Sequence, residues 1–124
     1  MATQVRGSAI VTAVIAIGLC MVLHGETAHA ETFTVGEGDG WNLKVHDWPN
    51  GKNFTANDTL VFKYNNAFHN VAVVDEIGFR TCTVGDKLFS SGNDEIKIQQ
   101  GQNYFICGFP GHCAAGMKIA VTAK

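Results

Sequence analysis

From Thr32 onward, apolar residues recur at alternate positions in short runs, and Gly, Asn, Asp and Pro clusters divide the runs. Side chains alternate across a strand with period two, so this spacing predicts strands. TFTV (Thr32–Val35) opens the series, and the turn-rich GEGDG follows it. TLVFKY (Thr59–Tyr64) places Leu60, Phe62 and Tyr64 on one face, and HNVAVV (His69–Val74) does the same with His69, Val71 and Val73. EIKI, QNYFIC and MKIAV predict three more strands near the C-terminus. Only Glu76–Cys82 suggests a short helix, and Gly78 weakens it. Many short strands with little helical periodicity predict an all-β fold, an antiparallel sandwich or barrel.

The pattern before Thr32 is different. Arg6 precedes an uninterrupted run of 15 mostly apolar residues, Ala9–Leu23, and Ala28-His29-Ala30 follows. A positive start, a short apolar centre and an A-x-A ending predict a secretory signal peptide over 1–30, cleaved after Ala30. An uncleaved membrane anchor is the alternative, but the run is shorter than the ~20 residues a spanning helix needs. The remaining 31–124 is one domain, small but able to bury a modest core. Its net charge of −2 equals that of the whole chain, because Arg6 and Glu26 cancel. So weak a balance argues against nucleic acid or an anionic membrane surface as partner. The ending KIAVTAK lacks the spacer and tail of a lipid anchor. A soluble secreted protein is expected.

Secretion makes the cysteines informative. Cys20 lies in the signal segment, which leaves Cys82, Cys107 and Cys113. In an oxidising compartment, an odd count predicts one bridge and one cysteine with another use, an intermolecular bridge or a functional thiolate. The segment CGFPGHCAAGM (Cys107–Met117) sets Cys107, His112 and Met117 at equal intervals of five. Two imidazoles, a thiolate and a weak thioether are the donors of a blue-copper electron-transfer centre. Structural zinc is disfavoured, because it takes Cys, His and carboxylate rather than thioether. The second imidazole must come from His46 or His69, the only other histidines after Ala30. His69 opens a strand on the same face as Val71 and points to the interior at one sheet end, whereas His46 in KVHDWP reads as a solvated loop residue. Cys113 directly follows His112, and in an extended segment the two side chains point apart. Cys107 closes a strand and can approach the metal from the other side, which leaves Cys113 to pair with Cys82.

The order of TFTVG, Gly40-Trp41, Trp48, NGKNF, LVFKY, HNV, Cys82 and YFICGFPGHCAAGMKIAV resembles the phytocyanins, the plant branch of the cupredoxins, and among them the plantacyanins (basic blue proteins). It covers essentially all of 31–124. The resemblance implies an eight-strand-type Greek-key two-sheet β-sandwich with one type 1 copper ion at one end. It implies His69, Cys107, His112 and Met117 as the ligands and Cys82–Cys113 as the disulfide. It further implies a monomeric, non-enzymatic electron carrier of the apoplast or cell wall. The partner would be a redox protein or a small-molecule electron donor or acceptor. Met117 distinguishes the chain from stellacyanin-like proteins, where glutamine is axial, and the net charge of −2 departs from the basic members.

Three further features bear on the site. Asn70 is a candidate for an outer hydrogen bond that orients a ligand. Gly108–Gly111, GFPG, makes a tight turn with Phe109 and Pro110 as apolar cover, so electrons are expected to leave by the edge of His112. Asn53-Phe54-Thr55 and Asn57-Asp58-Thr59 are candidate N-glycosylation sites. No paired catalytic carboxylates, Ser–His arrangement or second metal cluster points to an enzyme. The alternative function is a binding or signalling module without redox turnover.

Overall fold

The computed structural model describes residues 29–124, so all but the last two residues of the expected signal peptide lie outside the described residues. The chain forms β1 (Thr32–Thr34), β2 (Thr59–Lys63), β3 (Val71–Val74), helix α1 (Glu76–Thr81), β4 (Leu88–Phe89), β5 (Asn93–Lys97), β6 (Gly101–Ile106) and β7 (Lys118–Ala123). One sheet has the order β1-β2-β5 and the other β4-β3-β6-β7. The chain crosses between sheets after β2, β4 and β5, the crossed connectivity of a Greek-key sandwich. β1 runs parallel to β2, and the other strand pairs are antiparallel.

Seven strands stand among the described residues where the resemblance implied eight. A lone bridge between Phe54 and Ala123 supplements them. Beside it, Lys124 gives its N–H to the Phe54 carbonyl at 3.0 Å and accepts the Ala56 N–H at 2.9 Å, while the intervening Thr55 N–H goes to the Asp58 carboxylate. β4 has no counterpart in the hydrophobic pattern: Leu88 and Phe89 are both exposed and pair with Ala72 and Val71. The strand predicted from His69 begins instead at Val71, because His69 gives its N–H to a turn rather than to a neighbouring strand.

The period-two pattern explains the core. Leu60 and Phe62 of β2 meet Val71, Phe105, Ile119 and Val121 of the other sheet, and Trp41 joins them from a loop. The Phe62 ring lies 5.0 Å from Trp41 and 5.1 Å from Phe105. Burying each such side chain is worth about 1.5–3 kcal/mol. The alternate residues of β3 and β6, Ala72 and Ile106, form a second buried cluster with Cys113 on the opposite face. Helix α1 covers that face: the Phe79 ring packs tilted against Tyr104, centroids 5.1 Å apart, and Lys118 Nζ donates to the Phe79 carbonyl at 3.0 Å.

The helix forms despite Gly78 because its ends are satisfied. Asp75 accepts the Gly78 N–H at 2.8 Å, and Cys82 closes the C-terminus in the left-handed conformation at φ 57°. Glycine is required there, since a Cβ on residue 78 would lie 2.9 Å from both the Thr83 carbonyl oxygen and Val74 Cβ. Gly→Ala usually strengthens a helix by about 1 kcal/mol. Gly78→Ala is expected to do the reverse, lowering stability by about 1–3 kcal/mol through overpacking. Urea unfolding checks the sign. Among the described residues, no helix is long and apolar enough to cross a membrane.

Candidate metal centre

His69 is positioned by the turn that ends the β2 face. Asn65 accepts the N–H groups of Phe68 and His69 on its carbonyl, at 3.0 and 3.1 Å. Its side-chain Oδ1 accepts the Ala67 N–H at 2.9 Å, which makes an Asx-type turn. The start of this turn is anchored by Tyr64, whose N–H reaches the Gly92 carbonyl at 3.0 Å and whose hydroxyl donates to buried Asp94. Burial first, and then that carboxylate, push the Tyr64 phenol well above its usual range. Asn65 is a positioning residue that the hydrophobic pattern passes over, although the Asn65-Asn66 pair after TLVFKY marks a turn.

The other donors come from one loop closed by its own backbone hydrogen bonds. Cys107 follows β6 and gives its N–H to the Met117 carbonyl at 3.0 Å, while Met117 gives its own to the His112 carbonyl at 3.0 Å. His112 in turn donates to the Phe109 carbonyl at 3.2 Å, which closes the GFPG turn. Gly111 occupies φ +80°, where a side chain is strained, so glycine permits the reversal. Gly108 also has no room for a side chain, since a Cβ would meet Val84 Cγ2 at 2.9 Å and Asn70 Oδ1 at 3.1 Å.

These elements bring three donors together. Nδ1 of His69 and Nδ1 of His112 are 3.2 Å apart, and the Cys107 sulfur lies 3.9 and 3.6 Å from them respectively. Cys107 is buried, and the two imidazoles are half-buried. Burial, and secondarily the neighbouring His112, hold His69 below its ordinary pKa. That favours the neutral ring, the form that ligates a metal. Met117 is fully buried in the same core cluster as Cys107. A thiol and two imidazole nitrogens converging beside a buried thioether are the donor chemistry of a copper site rather than of structural zinc.

Other candidates fall elsewhere. His46 is exposed and bonds Asp47 at 3.1 Å, outside the cluster. Cys113 forms a disulfide with Cys82, and Cys107 is free. The expected extended segment at His112-Cys113 is instead a run of turns. The two side chains separate because Cys113 enters the cluster beneath α1, on the sheet face opposite the core that holds Cys107. Asn70 ties the two ligand segments: its Oδ1 accepts the Gly108 N–H at 2.6 Å, and its carbonyl accepts the Trp41 indole N–H at 2.9 Å. Phe109 stacks on His112 at 5.9 Å, and Pro110 is exposed beside it. Asn53 and Asn57 are both exposed. They precede β2 at its far end from His69.

The chain matches the model of the plastocyanin-like domain over residues 40–117. The chain belongs to the phytocyanins. It is 50% identical over 105 residues to a chemocyanin of Lilium longiflorum, which covers 83% of each chain. To a basic blue protein of Cucumis sativus it is 53% identical over 93 residues, covering 73% of this chain and 97% of that one. Among solved structures it is similar to the cucumber basic protein, a blue copper protein, with TM-score 0.73 and 50% identity over 75% of this chain and 99% of that one. Spinach plantacyanin gives TM-score 0.64 at 50% identity, with 68% and 94% of the chains covered. Against this phytocyanin framework, the observed two-sheet sandwich is the family fold.

Proposed function

We propose that the protein is a secreted single-electron carrier and not an enzyme, with its copper held by His69, Cys107, His112 and Met117. The observation that carries this is the convergence of one ligand atom each from His69, Cys107 and His112 within 4.8 Å. The cofactor is one type 1 copper ion, which supplies one-electron chemistry by alternating between Cu(II) and Cu(I). When copper is bound, Cys107 would supply the thiolate, His69 and His112 the imidazoles, and Met117 a weak thioether. Hydrogen bonds accepted by Asn65 and Asn70, together with the backbone bond from Cys107 to Met117, hold these groups still. A rigid donor set limits rearrangement between oxidation states. His112, half-buried with Phe109 stacked on it and Pro110 alongside, is the electron exit. The partner is a redox protein or a small-molecule donor or acceptor that docks against this edge. Extracellular release follows from the N-terminal segment, with its Arg6, short apolar run and A-x-A ending.

Visible absorption and potentiometry of the copper-loaded protein test this. The oxidised protein is expected to be blue and the reduced protein colourless. Met117→Gln should stay blue but fall in reduction potential, because an amide oxygen is a harder donor and favours Cu(II). His46→Ala should leave spectrum and potential unchanged. A potential that stays put or rises in Met117→Gln removes Met117 from the site, and bleaching by His46→Ala replaces the histidine pair.

A further inference from the structure

At the opposite end of the sandwich, Asp58 is a buried carboxylate, 2% exposed. Among the described residues, no Lys or Arg forms an ion pair with it. Its two oxygens are each taken by a backbone donor: Oδ2 by the Thr55 N–H at 2.8 Å, and Oδ1 by the Glu31 N–H at 2.8 Å. A buried charge held by neutral amides alone is costly, and native proteins normally give it a cation. The donor Glu31 is the residue directly after Ala28-His29-Ala30. Its carbonyl is also held, by the Thr59 N–H at 2.8 Å, and the next residue, Thr32, enters β1 opposite Thr59. Residue 31 is therefore fastened on both sides before the sheet begins.

We infer that Asp58 is a binding site for the chain's own mature N-terminus: the α-ammonium released at Glu31 by cleavage after Ala30 is the missing cation. This rests on the proposed secretory processing. Hydrolysis of the Ala30–Glu31 bond by a signal peptidase places the hydroxyl of water on the Ala30 carbonyl carbon and its hydrogen on the Glu31 nitrogen. The resulting amine takes a further proton from solvent, since α-amino groups are cationic at neutral pH. The donor that was a neutral amide becomes a charged one without moving, and charge-assisted hydrogen bonds are roughly twice as strong as neutral ones. Processing thus completes an ion pair that clamps β1 to the turn before β2. The precursor has the same backbone contact but lacks the charge.

The experiment uses protein recovered from the medium of cells expressing the full chain. N-terminal sequencing should read Glu31 first, with a free amine. Acetylating that amine under conditions that spare lysines removes the charge and keeps an N–H. The acetylated protein is expected to melt about 4–8 °C lower, with an unchanged blue spectrum because the copper ligands lie at the other end. The amine should also react more slowly in the folded protein than in urea. In Asp58→Asn, acetylation should cost nothing. If that variant does not fold, a secreted form with one alanine inserted before Glu31 should match the acetylated protein in melting temperature. A first residue other than Glu31, or a pyroglutamate there, overturns the inference together with the cleavage site. A free Glu31 amine whose acetylation leaves the melting temperature unchanged overturns the inference alone and leaves the cleavage site standing.

Discussion

Cys107→Ser is expected to lose the blue colour entirely while the protein remains folded. The intense band requires a thiolate bonded to Cu(II), and Cys107 is the free cysteine among the described residues. A serine hydroxyl is a harder, weaker donor, and it stays protonated where a thiol is readily displaced to thiolate by a metal. The substitution is close in volume, and Cys107 keeps its place through backbone contact with Met117 at 3.0 Å, so the sandwich should survive. Circular dichroism reports the fold and visible absorption the site. A blue Cys107→Ser protein would remove the thiolate from Cys107 and with it the proposed centre.

The second large effect is expected from the disulfide. Cys82 ends helix α1, and Cys113 lies beside His112, with 31 residues of separation between the paired cysteines. On the chain-entropy model, a loop of this size stabilises the fold by about 3–4 kcal/mol. Against the ~5–15 kcal/mol typical of a whole domain, that is a large share. Cys82→Ala with Cys113→Ala should therefore lower the melting temperature by more than about 10 °C. Cys113 also anchors the turn that presents His112, so copper should pass to a chelator faster in this variant. Non-reducing peptide maps of unfolded, metal-free parent protein should place the alkylating label on Cys107 alone. A label on Cys82 or Cys113, or a variant that melts with the parent, would overturn the role given to the bridge.

Much of this molecule was legible in local pattern, because local pattern is what strand geometry repeats. The alternation in TLVFKY, HNVAVV, QNYFIC and MKIAV maps onto β2, β3, β6 and β7, since a residue on a half-buried strand must face either core or solvent. The donor types of Cys107, His112 and Met117, set five residues apart, suggested a copper site. Features that depend on distant chain did not show in this way. β4 is a strand only because it pairs with β3, and both of its side chains are exposed. Gly78 weakens the helix by propensity, yet Val74 and Thr83 leave no space there for a side chain. His112 and Cys113 diverge because a turn sends them to opposite faces of one sheet, not because the segment is extended. Asp58 lies inside a sequon and next to a turn, and the fold buries it against the backbone of Glu31, 27 positions away. The sequence by itself determined which donors exist and the two-residue rhythm that builds the sheets, because both are properties of neighbours along the chain. Only the tertiary structure decided which donors meet and which charges are buried, because proximity and exclusion of water arise where segments remote in sequence close over one another.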